Sequence, residues 1–468
     1  MARYLLSYGQ PMLRSLPILV LLATVACLNG DDDLPSNPSD QQACIEEIKD
    51  IPVQITRDID ILFVIDTSAT MAQEQASLST NYRRLMSFLE QYPGGMPNIH
   101  VGVISSDLGA GPFSFGNCTP GGDGGKLQTT ARSNCTPPNG EFLSNIGASD
   151  GTDILNYDGS LQDAFACIAE LGSDGCQYTQ PLEAMRRALD GSNPANAGFL
   201  RDDAFLMVVF VTDQDDCSAS DTAIFDPDAT GLGAATSFRC FEHGVQCDPD
   251  TPQVAGDKQS CVPRADSAFI ADVDQYVDFL KGLKPDPNMV VLGAIIGGYA
   301  VSVGSDGSGN PSLEPSCSSA TGEAAPAPRL GYLLEQFPLR NSVASMCEEN
   351  QAEAFLILTP FHSLEGPPCM LGELDLDPDE PGVQYECIVS EIRGDGTSER
   401  TETLVPECET VPPVAGQLPC WYFDDEPGFC PDTPTGLYIR IERGRVSVPS
   451  GSHGIVRCAA SICEPETP

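Results

Sequence analysis

The stretch Ile59-Asp60-Ile61-Leu62-Phe63-Val64-Ile65-Asp66-Thr67-Ser68-Ala69-Thr70 decides the architecture. A nearly continuous apolar run ending in an aspartate is how a strand buried on both faces of a parallel sheet reads, because both of its side-chain rows meet apolar neighbours. The small, hydroxyl-bearing residues that follow suit a tight loop at the carboxyl end of that strand. Similar segments recur at His100–Ser105, Phe205–Val211 and Met289–Ile296. Between them Leu78, Tyr82, Leu85, Met86 and Leu89 keep helical spacing until Pro93-Gly94-Gly95 stops the helix. Leu182, Met185 and Leu189 mark a second helix, and Phe269, Val273, Tyr276, Val277 and Leu280 a third. A last helix is expected from about Glu348 to Leu358. Strands alternating with helices predict an α/β domain over 55–362, built on a doubly wound, mostly parallel sheet.

That span is long for one such domain. The surplus lies in three polar, glycine-rich insertions at about 107–158, 217–265 and 300–326, within which Gly304-Ser305-Asp306-Gly307-Ser308-Gly309 reads as loop. After Pro360 helical periodicity vanishes and cysteines recur, so 363–468 reads as a small cysteine-rich β module. Its Gly436–Arg443 alternates like a strand, and Gly454–Cys458 is a candidate to pair with it. The chain has nineteen cysteines and four histidines. The cysteines are scattered rather than grouped as zinc ligands, which points to disulfides and to a compartment outside the reducing cytosol. Setting Cys27 aside leaves an even number, compatible with complete pairing, and the three insertions are expected to be stapled.

With Lys+Arg 24 against Asp+Glu 67 the 468-residue chain carries a formal net charge of −43. Such a field repels phosphate backbones, so nucleic acid is excluded as a partner, and it attracts cations. At the N-terminus Arg3 and Arg14 precede an apolar stretch from Leu16 to Leu28, too short to span a bilayer. It ends in Ala23-Thr24-Val25-Ala26-Cys27, which resembles a bacterial lipobox, with Thr24 where leucine is usual. The resemblance implies a signal peptide over 1–27 and lipidation of Cys27; an ordinary cleaved signal peptide is the alternative. Residues 28–54 begin Leu28-Asn29-Gly30-Asp31-Asp32-Asp33, acidic and polar, and read as a solvated tether. The chain is therefore expected to be exported and to touch membrane only through a lipid anchor, at the outer membrane or cell surface.

Asp66-Thr67-Ser68-Ala69-Thr70 falls where a buried strand gives way to a helix, at the carboxyl edge of the sheet, where doubly wound sheets bind their ligands. A carboxylate and two hydroxyls at alternate positions offer hard oxygen donors to a divalent cation. Here the sequence resembles the von Willebrand factor A family, whose metal-ion-dependent adhesion site has the signature Asp-x-Ser-x-Ser; this chain has Thr70 in the last place. The resemblance extends to Thr179-Gln180-Pro181-Leu182, like the loop that supplies a threonine, and to Val211-Thr212-Asp213, like the strand end that supplies an aspartate. It implies a site of Asp66, Ser68, Thr70, Thr179 and Asp213, holding Mg²⁺ first, with Mn²⁺ or Ca²⁺ as alternatives. A hydroxyl capping the helix at Pro181 is the other reading of Thr179. Asp215 and Asp216 read as loop acids. Gln73 stands where integrin-type domains place an acid for an adjacent cation, so no second site of that kind is expected. The chain is more closely similar to predicted lipoproteins of deltaproteobacteria and myxobacteria, on Val211–Cys217, Ser345-Met346-Cys347 and Pro367-Pro368-Cys369.

What the family resemblance implies is recognition without catalysis: the cation accepts a carboxylate from a protein or polysaccharide partner. Two other readings stand beside it. One is a structural envelope protein whose metal site only holds loops together. The other is a Mg²⁺-dependent hydrolase, against which the sequence shows no HExxH motif, no nucleophile elbow and no histidine or arginine near Asp66.

Overall fold

The computed structural model describes residues 45–460, apart from 52–57, 73, 75–88, 90–95, 131–134, 149–151, 321, 339, 349–368, 371–384, 386, 394–399, 412, 415–417, 425–429, 431–432, 434–435 and 444–452. Cys27 and the expected helices over 78–89 and 348–358 fall wholly or mostly outside the described residues, as do Gln73 and the boundary at 362.

The run that opens the sequence reading is the centre of the molecule. Strand β1 (Asp58–Ile65) is buried along its whole length. It pairs in parallel with β2 (Asn98–Ser105) on one side and β5 (Phe205–Val211) on the other. Outside β2 come the antiparallel strands β3 (Leu143–Gly147) and β4 (Asp153–Leu155); outside β5 come the parallel strands β6 (Val290–Ile296) and β7 (Asn341–Ser345). The order β7-β6-β5-β1-β2-β3-β4 is that of a doubly wound, mostly parallel sheet, the α/β class expected. The alternation of a strand's side chains sorts the core into two layers. Ile59, Ile61, Phe63 and Ile65 pack with Phe165 and Ile168 of helix α1 (Leu161–Ala169). Leu62 and Val64 face the layer of α2 (Pro181–Leu189), α4 (Asp274–Gly282) and α5 (Pro328–Glu335). Of the two acids in β1, Asp58 at its start and Asp60 within it, Asp60 accepts from the Arg201 backbone at 2.7 Å and Nε at 2.8 Å, which offsets its burial.

The insertions fold rather than loop out. The second supplies helix α3 (Phe238–Gly244) and the strands Val245–Asp248 and Gly256–Pro263; the third supplies Val301–Ser305 and Pro311–Leu313. Because Val301–Ser305 pairs with Gly256–Pro263, the two insertions build one four-stranded antiparallel sheet. The glycine-rich stretch read as loop supplies its hairpin turn, where the Asp306 carboxylate accepts from the backbone of Ser308 and Asn310. Disulfides Cys118–Cys176, Cys135–Cys167, Cys217–Cys240, Cys247–Cys261 and Cys317–Cys347 staple the three insertions, as expected.

The tail is a β module with its own bridges, Cys369–Cys430, Cys387–Cys458 and Cys408–Cys420. Its small core gathers Met370, Val389, Val405, Trp421, Ile439, Ile441 and Val456. Two sequence readings are corrected here. Tyr438–Glu442 pairs with Cys420–Asp424, whereas His453–Ala460 pairs with Cys387–Arg393, because the Cys387–Cys458 bridge sits directly across that register. The other edge of His453–Ala460 is covered by Ile45–Ile51, a strand within the segment read as tether. The tether therefore gives way to folded chain by Ile45.

The sheet order makes the first of these strands a lid on the last. A chain beginning at residue 52 leaves the backbone of His453–Ala460 unpaired on one side. Limited proteolysis followed by mass spectrometry should show the tail module cut several-fold faster than in the full chain; equal rates would mean that Ile45–Ile51 contributes nothing to its stability.

Candidate functional site

The carboxyl ends of β1, β2 and β5 finish level, with Ile65 opposite both Ser105 and Val211. Beyond them the backbone stays tied: Asp66 N–H donates to Val211 O at 2.8 Å, Ser106 N–H to Ile65 O at 3.0 Å and Thr212 N–H to Ile295 O at 3.1 Å. Since β2 and β5 leave β1 on opposite sides, this edge is the point where the winding reverses and a crevice opens. The sequence spends its hydroxyls and two acids there.

Asp66 is fully buried and held at both oxygens. Oδ1 accepts from Ser68 N–H at 2.7 Å, which shapes the loop, and Oδ2 accepts from the Thr212 hydroxyl at 2.7 Å. Met71, also fully buried, anchors the short 3₁₀ turn Ala69–Ala72 that brings Thr70 round, so that Ser68 Oγ and Thr70 Oγ1 stand 2.9 Å apart. Asp213 comes from the end of β5 and is 4% exposed. Its carboxyl faces the Thr70 hydroxyl and the Asp66 carboxyl, and among the described residues Oδ1 has no hydrogen-bond partner. Burial raises Asp66 above the ordinary carboxylate range, against the pull of the Ser68 N–H and the Thr212 and Ser68 hydroxyls. Burial first, and then the charge of Asp66, push Asp213 up to about 8.

Four of the five expected residues, Asp66, Ser68, Thr70 and Asp213, therefore form one network. Thr179 lines the same cavity but joins it differently: its hydroxyl donates to Asp215 O at 3.2 Å. It does not cap α2. That end is capped from a distance by Asp216 Oδ1, which accepts from Leu182 N–H at 3.1 Å, and by Ser218 Oγ, which accepts from Glu183 N–H at 2.9 Å. The reading of Asp215 and Asp216 as loop acids is corrected as well. Asp215 accepts from Arg329 N–H at 3.0 Å and Leu330 N–H at 3.1 Å, satisfying the open N–H groups at the start of α5. Asp216 forms an ion pair of 3.0 Å with Arg329, both side chains almost wholly buried. These acids hold the loop and are already bonded elsewhere.

Three participants carried no signal in the sequence reading. Thr212 bonds Asp66; Gln214 reaches Ser68 and Thr70; Glu74, 3% exposed, accepts from Glu323 N–H at 3.0 Å through Oε1, while Oε2 has no partner among the described residues. Glu74 is one position past Gln73, and Thr212 sits inside the Val-Thr-Asp already singled out. The network floors a cavity of about 710 Å³ walled by insertion residues, among them Phe238, Phe241 and Leu313. Among the described residues no group of three or more His, Cys, Asp or Glu side chains is placed to hold a metal. A cation here would thus be held by two carboxylates together with hydroxyls and water, a donor set that fits Mg²⁺ or Ca²⁺ and leaves it electrophilic.

Two expectations follow from these contacts. Arg329→Ala strands Asp216 in the interior without its counter-charge and should lower stability by about 3–5 kcal/mol, read as a fall in the urea midpoint; a fall equivalent to less than about 1 kcal/mol would return Asp216 to the status of a surface acid. Gly175 donates its N–H to Thr67 O at 2.7 Å, and a Cβ there would lie 2.1 Å from Thr67 Oγ1. Gly175→Ala should therefore push the Asp66–Thr70 loop aside and weaken Mn²⁺ binding in calorimetry, with the far-ultraviolet circular dichroism spectrum unchanged.

No protein-family model and no curated protein sequence matches the chain. Among solved structures it is similar to the proximal thread matrix protein 1 of the mussel byssus (10% identity, 66% of this chain and 48% of that one, TM-score 0.27). It is also similar to a von Willebrand factor type A protein from Catenulispora acidiphila (9% identity, 91% and 67%, TM-score 0.28) and to the pilus adhesin of Streptococcus pneumoniae (12% identity, 89% and 58%, TM-score 0.28). The chain spans about half the length of the mussel protein. At these scores the likenesses do not bear on function, and the fold class stands on the strand order itself.

Proposed function

We propose that this chain binds a divalent cation through Asp66, Ser68, Thr70, Thr179 and Asp213 and, through that cation, an acidic group of a protein or polysaccharide partner. The observation that carries the reading is the pair of buried carboxyls at the sheet edge, ringed by hydroxyls, with Asp213 Oδ1 lacking a hydrogen-bond partner among the described residues. A buried polar atom left without a partner is costly, and two facing carboxylates cost more. A divalent cation relieves both at once. Mg²⁺ is the first candidate, with Mn²⁺ or Ca²⁺ as alternatives, since hydroxyl and carboxylate oxygens suit all three. With only two protein carboxylates the bound ion keeps appetite for an anionic donor from outside, and the cavity gives such a donor a route to it.

Binding rather than turnover is the reading we favour because the acids of the cavity are already engaged, Asp213 as a ligand of the cation and Asp215 at the start of α5, and among the described residues the lining includes no His, Lys or Arg. Export and lipid anchoring at Cys27, with the outer membrane or cell surface as destination, belong to the same proposal. The eight disulfides among the described residues support a compartment outside the reducing cytosol.

The test is retention of the full chain on immobilised polyglutamate and on polygalacturonate, in Mg²⁺ and in EDTA, beside Asp66→Ala. Retention in Mg²⁺ that is lost in EDTA and in the variant is the expected result. Retention that survives both changes would sink the cation bridge.

A further inference from the structure

Gln214 stands between the two acids Asp213 and Asp215, half-buried, on the wall of the cavity. Its Nε2 lies 3.1 Å from Ser68 Oγ and 3.1 Å from Thr70 Oγ1. One amide nitrogen has two protons, and here each goes to a different hydroxyl. The position is set by the backbone, for Gln214 N–H donates to Thr212 Oγ1 at 3.1 Å, and Thr212 is the residue that holds Asp66. A glutamine facing a cavity would otherwise keep its rotamer freedom; this one gives it up for two hydrogen bonds inside the acidic network.

What those bonds occupy matters more than their number. The two hydroxyls stand 2.9 Å apart, so one of them donates to the other, and the one proton left between them is free to turn toward the acids alongside. Their remaining acceptor capacity is what a cation would take, and the amide of Gln214 takes it. An amide is uncharged. It can hold the hydroxyls in place but cannot offset the repulsion between Asp66 and Asp213, and Asp213 Oδ1 is still without a partner beside it. The amide and a divalent cation thus compete for the same two oxygens, with only the cation able to neutralise the acids.

Building on the cation-binding reading, we infer that Gln214 is an internal competitor for the site. Its amide keeps Ser68 and Thr70 in ligating position and must leave them when the ion is bound, so this side chain sets the cation concentration at which the site fills. Sequence patterns for such sites name carboxylates and hydroxyls and would pass over it.

Calorimetric titration of the full chain with Mn²⁺ tests the inference. Removing two neutral hydrogen bonds that the ion must otherwise break should let Gln214→Ala bind Mn²⁺ about tenfold more tightly than the natural chain. Gln214→Asn, whose amide is one methylene shorter, should also bind more tightly. Asp66→Ala should abolish binding. As a second readout, Gln214→Ala should unfold at a lower temperature than the natural chain in EDTA and at the same temperature in saturating Mn²⁺. Equal or weaker Mn²⁺ binding by Gln214→Ala, with Asp66→Ala inactive, overturns the competitor role and leaves the cation site standing. Undiminished binding by Asp66→Ala removes the site itself, and the competitor with it.

Discussion

Two carboxyl groups are taken out of water side by side at the end of a buried strand, and most of the surrounding structure is explained by what that requires. Asp66 and Asp213 end adjacent, parallel strands whose registers are flush, so the sheet itself forces them together. Their mutual repulsion in a water-poor setting is a standing cost. It is met in part by donors, from the Ser68 backbone and the Thr212 hydroxyl, and what is left of it adds to burial in pushing Asp213 up to about 8. Hydroxyls can soften such a pair; they cannot neutralise it.

Loops that carry such a cost have to be held by something stronger than their own turns. The structure fixes them from outside. Asp215 and Asp216, in the same loop as Asp213, engage the start of α5 and the buried guanidinium of Arg329, which also donates to Gly244 O and Ala271 O. Cys217 then ties the loop to α3 through Cys240. On the other side Cys118–Cys176 fixes the segment in which Gly175 touches Thr67. The cross-linked insertions are therefore the second wall of the site, and their bridges limit how far the acids can move apart. Stapling of this kind restricts the unfolded chain too.

The sheet was readable in advance because burial on both faces leaves a continuous apolar run, the strongest local signal a strand can give. β1, β5 and β6 all carry it, and each was found within a residue of its observed ends. β3, β4 and β7 were not, since strands at and beside the sheet edges are partly exposed and mix polar with apolar residues. The tail pairings were misread for a related reason: neighbouring strands in sequence were assumed to be neighbours in the sheet, while here the segment at Ile45 and the bridge Cys387–Cys458 decide. At the site, Asp66, Ser68, Thr70 and Asp213 were readable as a pattern. Asp215, Asp216 and Gln214 were not, because their roles depend on partners more than a hundred residues away, Arg329 for the two acids and Ser68 and Thr70 for the amide.

A net charge of −43 bears on all of this in a direction that is easy to mistake. It suggests a protein that repels every acidic partner, yet at physiological ionic strength the field of exposed carboxylates fades over about 8 Å. What an approaching carboxylate meets inside the cavity is set by the groups lining it, and these are acidic or neutral. Without a cation the cavity would reject an anion at short range, where screening is weakest. With one, the two acids of the floor are neutralised and an electrophilic ion faces the incoming donor, while the outer surface stays acidic. On the proposed function the distant charge thus serves to enrich divalent cations near the mouth, and the selectivity for an acidic ligand resides wholly in whether the floor is filled.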